Sequence, residues 1–167
     1  MRKLNILKAI VDFVWIMSFI TIPPLIALFG FILISNEPIG IPIKLNGVEI
    51  SVVDQQTKIL LVFIILAALL ILYSIFLFRK ILRSFQRKKI FTLEVIKNFN
   101  IIGILLLFSS LLSGIPAFIL KLLKKEAGFE MGLNPFVMLF CLGLFFMVLS
   151  EVFMIAKTQK EENELTI

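Results

Sequence analysis

Two carboxylates stand where carboxylates are scarce. Asp12 and Glu151 are the acidic residues set in or beside the long uncharged stretches of this 167-residue chain. A carboxylate at bilayer depth is a functional candidate by default, because its burial must be offset by a partner or a proton. Three roles fit the pair: structural ion pairing with nearby bases, a proton- or cation-coupled site in which both carboxylates share one polar crevice, or simple marking of helix ends. Asp12 follows Lys8 by one turn and Glu151 precedes Lys157, which brings both within reach of interfacial water. Other chemistry is harder to assemble. The chain has no histidine, the usual general base and a common metal ligand. Its single cysteine, Cys141, can form no internal disulfide and reads as a small packing residue. No glycine-rich phosphate loop, HExxH, CxxC or histidine-centred triad occurs. The expectation is a protein that is not an enzyme and uses no cofactor or metal.

Composition sets the elements that must position these carboxylates. Apolar residues make up 60% of the chain and charged residues 17%, whereas a soluble domain is nearer half and a quarter. Four uncharged windows carry the excess, at 13–34, 59–78, 98–120 and 131–150. Roughly 20 residues rising about 1.5 Å each cross a hydrocarbon core of about 30 Å. The chain therefore reads as an all-α integral membrane protein, a single transmembrane domain over 1–167 with four transmembrane helices near 10–34, 59–79, 98–120 and 132–156. A signal peptide also opens with bases before an apolar run. Here the run after Arg2, Lys3 and Lys8 is too long for that and no small-x-small cleavage site follows, so the first segment is expected to stay as an anchor.

Charge sets the orientation. Alternate assignment places Arg2, Lys3, Lys8, Arg79, Lys80, Arg83, Arg87, Lys88, Lys89, Lys97, Lys157 and Lys160 on one side and only Lys44, Lys58, Lys121, Lys124 and Lys125 on the other. The positive-inside rule turns the first set to the cytoplasm, N-in/C-in, in a multi-pass protein of a bacterial cell membrane. The net charge of +6 then points to anionic headgroups at the inner loop and away from nucleic acid, because the bases cluster beside apolar spans.

Within this frame, Pro23 and Pro24 lack amide donors near the middle of the first span and predict a kink, with freed carbonyls turned to other helices or Thr21. Pro116 predicts a bend near the outer end of the third. Between the first two spans, Asn46-Gly47 is flanked by Ile41, Ile43 and Leu45 and by Val48, Ile50 and Val52. That pattern predicts a short extracytoplasmic β-hairpin with a type I′ turn. In the inner loop, Ile81, Leu82 and Phe85 continue a helical apolar face while Arg83, Arg87, Lys88 and Lys89 meet headgroups. Thr92 is placed to cap a new helix that gathers Leu93, Ile96 and Phe99. Ser109 and Ser113, like Ser110 and Gly114, stand four apart in the third span, with Gly103 further in, and permit close helix approach.

The four-span arrangement, the stretch IFTLEVIKNFNIIG from Ile90 and the terminal EENELTI resemble the DUF2975 family of bacterial membrane proteins. Phe91 and Thr92 match a pair that members carry before the third span. Glu161, Glu162, Glu164, Leu165, Thr166 and Ile167 match the family's tail, with Glu164 where many members have aspartate. The resemblance implies a bacterial membrane protein, and the genes of relatives often lie near small helix-turn-helix regulators. It implies no activity and no catalytic residue. Read from its own residues, the tail leaves the membrane after Lys157 and Lys160 with Leu165 and Ile167 spaced as on one strand face. It is either a frayed terminus or an apolar end docked on the inner loop or a cytosolic protein, its acids opposite Arg83 to Lys89.

The functional expectation is a non-enzymatic regulatory or accessory membrane module, acting through its basic loop and tail, with membrane lipids, a cytoplasmic protein partner or a homo-oligomer as its contacts. Two alternatives stay open: a small transporter or channel subunit built on the kinked first helix with Asp12 and Glu151, and an immunity protein against a membrane-active peptide. A continuous polar cavity favours transport, and a dry bundle filled with Leu, Ile and Phe favours the module or immunity reading.

Overall fold

Lipid leaves each backbone amide and carbonyl to find a partner within its own segment, so long uncharged stretches become helices. The computed structural model describes residues 2–34, 43–45, 48–50, 54–123 and 134–165. Among these the chain forms four helices, α1 (Arg2–Ile34), α2 (Gln55–Gln86), α3 (Leu93–Leu123) and α4 (Pro135–Leu165), with two short strands, β1 (Ile43–Leu45) and β2 (Val48–Ile50), between α1 and α2. All four helices are long and apolar enough to cross a membrane, the architecture of a multi-pass membrane protein.

The helices outrun the spans expected from the uncharged windows. Each has 31 to 33 residues, about 47–50 Å of helix against a hydrocarbon core of about 30 Å. Most of the added turns fall at residues 2–9, 80–86, 93–97 and 157–165. These gather at one end of the bundle, because α1 meets α2 through Asn5 and Gln86, α2 meets α3 through Lys80 and Glu94, and α3 meets α4 through Ile96 and Ser150. Strands β1 and β2 pair antiparallel, Ile43 opposite Ile50, Lys44 opposite Glu49 and Leu45 opposite Val48. Asn46 and Gly47 connect them and, like Ile41 and Val52, lie outside the described residues.

Successive helices pack on one another, α1 on α2, α2 on α3 and α3 on α4. The largest cluster of buried side chains joins Leu77 and Ile81 of α2 to Val95, Phe99, Ile102 and Leu106 of α3, with Phe146 and Phe153 of α4 against it. A smaller one holds Leu60, Ala117 and Leu120 at the other end. The stripe of small residues in α3 behaves as its spacing suggests. Ser109 and Ser110 are buried, and the Ser109 hydroxyl donates across to the Ala67 carbonyl of α2 at 3.1 Å. On the α4 side a Cβ added to Gly103 would stand 2.7 Å from the Gly143 carbonyl oxygen, and one on Gly114 would strike the Phe136 ring. The Ser150 hydroxyl closes this seam with a 2.8 Å bond to the Ile96 carbonyl. Gly143, the other half of the close crossing, was not anticipated from the sequence.

Two local expectations need correction. Helix α1 runs through Pro23 and Pro24, whose missing amides free the carbonyls of Phe19 and Ile20. The Thr21 hydroxyl does not serve them, since it donates to Met17 one turn earlier at 3.0 Å. Cys141 is exposed on α4, on the side turned away from the core, so it is not an interior packing residue.

Candidate functional site at the charged helix ends

The first arm of this end is the face between α1 and α2. Asn5, Lys8, Asp12 and Trp15 follow one another three or four residues apart and so share a stripe of α1. Gln86, Arg79 and Phe76 present the complementary stripe of α2. Gln86 accepts from the Lys8 ammonium at 2.8 Å and donates to Asn5 at 3.0 Å. Arg79 Nε donates to Asp12 Oδ1 at 2.5 Å, and its guanidinium lies over the Trp15 ring, 5.7 Å from the centroid. Trp15 in turn touches Phe76 and Phe19. Asp12 is thus an ion-pair partner of a base in the last two turns of α2.

Beyond this ladder α2 ends in a sharp turn. The Lys88 amide donates to Phe85 at 3.1 Å and the Lys89 amide to Ser84 at 3.0 Å, the pair of bonds that defines a Schellman cap. Such a cap needs a left-handed residue, and Lys88 takes that role with φ of 59°, where glycine would carry no Cβ penalty. The turn holds Arg87, Lys88 and Lys89 exposed at the tip. Lys88→Gly is expected to stabilise the fold by about 1 kcal/mol, seen as a raised midpoint of thermal unfolding in detergent. A lowered midpoint would show that the lysine side chain outweighs the backbone strain.

The chain then enters α3. Thr92 caps it as expected: its hydroxyl accepts from the Val95 amide at 3.4 Å and its carbonyl from Ile96 at 3.2 Å. Phe91, its neighbour, packs on Phe153 of α4, ring centroids 5.8 Å apart. Phe153 also meets Phe85 at 5.9 Å and Phe99 at 5.2 Å, so one aromatic hub ties the end of α2, the start of α3 and the C-terminal half of α4 beneath the basic tip. Phe91 and Thr92 work as a dock and a cap for this junction. Lys80 pairs with Glu94 across it at 2.7 Å.

The other sequence-derived candidates are placed differently from expectation. Glu151 is exposed on α4 and has no hydrogen-bond or ion-pair partner among the described residues. Asp12 is committed to Arg79 on the α1–α2 face, so the two carboxylates do not share a crevice. Nor does Glu151 mark the end of its helix, which continues to Leu165. Leu165 ends the helix, and the spacing of Leu165 with Ile167 read for the tail lies outside the described residues. Glu161 and Glu164 pair with Lys157 and Lys160 one turn back, at 2.7 and 3.6 Å, a pattern that favours continued helix. Glu162 is exposed and engaged, while Thr166 and Ile167 lie outside the described residues. Among the described residues no three of His, Cys, Asp and Glu gather as metal ligands would.

The fold and its charged end define a class: a four-helix, multi-pass membrane-type protein with an aromatic cluster buried beneath a polar, helix-built platform at one end. Within that class the chain belongs to the family described as "Protein of unknown function (DUF2975)", whose model matches residues 6–167. Comparison with curated proteins and with solved structures gave no match.

Proposed function

We propose that this chain is a non-enzymatic regulatory or accessory module of the bacterial cell membrane, oriented N-in/C-in, with β1 and β2 on the extracytoplasmic side. Its working surface is the platform of helix ends, turned to the cytoplasm, where it holds anionic lipid headgroups and receives a cytoplasmic protein. The observation that carries this reading is the extension of all four helices past membrane length at the one end where Arg79, Lys80, Arg83, Arg87, Lys88 and Lys89 gather. Helix that only needs to span has no reason to continue there, and bases beside anionic headgroups gain about 1 kcal/mol each. The interior supports a module over a transporter. Leu77, Ile81, Phe99 and Ile102 pack together where α2 meets α3, the cavity between the same helices further along is lined by apolar side chains such as Leu60, Phe63 and Phe108, and Asp12, the acid a coupled site would need, is held by Arg79.

The test is topology followed by lipid retention. In a Cys141→Ser background, Lys88→Cys is expected to resist a membrane-impermeant maleimide in intact cells and react after permeabilisation, whereas Asn134→Cys reacts in intact cells. A chain with Arg87, Lys88 and Lys89 all changed to Gln is expected to lose co-purifying anionic phospholipid. Labelling of position 88 in intact cells would overturn the orientation, and unchanged lipid retention would overturn the headgroup role.

A further inference from the structure

One acid at the charged end is left over. Asp12, Glu94, Glu161 and Glu164 each hold a cation, and Glu162 is engaged. Glu151 has no partner among the described residues, although Val148, Val152 and Ile155 around it are exposed apolar side chains of the kind that face lipid. A carboxylate on such a surface is expensive unless something answers its charge. A cation stands at the same depth on the adjoining helix. The Ser150 hydroxyl bonds the Ile96 carbonyl, which sets the level of α4 against α3, and the next residue in each helix is Glu151 or Lys97. Lys97 is exposed and likewise without a partner among the described residues. The outward side of both helices is apolar away from these two charges, with Ile104, Phe108 and Leu111 on α3 and Leu144 and Val148 on α4 exposed.

We propose that this α3–α4 face is the contact surface for a second copy of the chain, with Glu151 of each copy paired to Lys97 of the other. The symmetry of a membrane dimer supplies the argument. A two-fold axis along the membrane normal moves no residue in depth, so opposite charges at one level on one face meet reciprocally, acid to base and base to acid. Lipid gives no hydrophobic drive to bring apolar helices together, so packing and polar pairs decide which helices associate. A reciprocal ion pair at the rim of the hydrocarbon is such a determinant, and it removes the one unanswered acid of the charged end.

The experiment uses two full-length copies with different affinity tags, co-expressed and extracted into native lipid nanodiscs. Wild-type copies are expected to capture one another. With Lys97→Glu in both copies, or Glu151→Lys in both, like charges face each other and capture falls about tenfold. Co-expressing one Lys97→Glu copy with one Glu151→Lys copy is expected to restore it, because each charge then meets its opposite across the dimer while each chain alone carries two like charges. This mixed pair also guards against misfolding, since two broken chains would not rescue one another. Three results would overturn the proposal: wild-type copies that do not associate, so that lipid covers this face; single-site reversals that leave capture unchanged; or rescue only when both reversals sit in one chain, the signature of pairing within a chain.

Discussion

Gly103→Leu is expected to part α3 from α4 and to produce the largest loss of stability of any single substitution in the bundle. Built onto Gly103, a Cβ alone would lie 2.5 Å from Met147 Cγ and 2.7 Å from the Gly143 carbonyl oxygen. Met147 can shift, but the carbonyl belongs to the backbone of α4, and it can move only if the helix moves. Overpacking an ordinary core costs about 1–3 kcal/mol, and displacement of a whole helix puts this site at or above the upper end. The consequences reach beyond the contact, since the Ser150 bond to Ile96 and the fit of Phe136 against Gly114 lie on the same seam. Gly143→Leu should act alike, meeting the Gly103 carbonyl oxygen and Leu107 Cγ, both at 2.9 Å. Gly30→Ala is the control: nothing lies within 4 Å of its added Cβ, and alanine is a better helix former by about 1 kcal/mol. In detergent the unfolding midpoint should fall sharply for the two leucine variants and hold or rise for Gly30→Ala. A wild-type midpoint for Gly103→Leu would mean that α3 and α4 do not cross there.

The same seam shows where sequence reasoning reaches and where it stops. Ser109, Ser110 and Gly114 were legible because small residues four apart can serve only close approach in an apolar helix, and the structure buries the first two and sets Phe136 on the third. Gly143 was not, since it stands alone between Leu142 and Leu144 and its meaning comes from Gly103 on another helix. Helix boundaries divide in the same way. Absence of charge gives the span but not the turns beyond it, which persist through contacts such as Phe91 on Phe153 and pairs such as Lys157 with Glu161. Thr92 was readable because capping chemistry is local. The pairing of Asp12 was not, because Arg79 lies 67 residues away and only the antiparallel packing of α1 on α2 selects it from the other bases between the second and third spans. Glu151 and Asp12 looked alike in sequence. Among the described residues Asp12 has a partner and Glu151 has none.

That pairing sets the second large effect, on how α1 is held. From residue 2 to residue 28 no side chain of α1 is fully buried, and Phe29 and Ile32 supply its first buried anchors. The N-terminal two-thirds of the helix, before Pro23 and Pro24, is therefore attached by its polar ladder, by Trp15 and by half-buried Leu4, Val11 and Ile22. Arg79→Ala removes both the ion pair with Asp12 and the cation over Trp15, whereas Asp12→Ala leaves the cation in place. Asp12 and Arg79 are 30% and 27% exposed, so solvent screens the pair and its loss should fall between the surface and buried limits, about 1–2 kcal/mol. The contact with Trp15 adds about 0.5–1 kcal/mol for Arg79→Ala alone. Trp15 is the chain's single tryptophan, which makes its emission a direct reporter of this face. Arg79→Ala is expected to shift that emission and raise its mobility more than Asp12→Ala does, while the α2–α3–α4 core keeps its unfolding midpoint more nearly intact. In a double-mutant cycle the two substitutions should be less than additive, since either one removes the shared bond. Additive effects, or Trp15 emission unchanged by Arg79→Ala, would show that apolar packing and not the ladder holds α1 to α2.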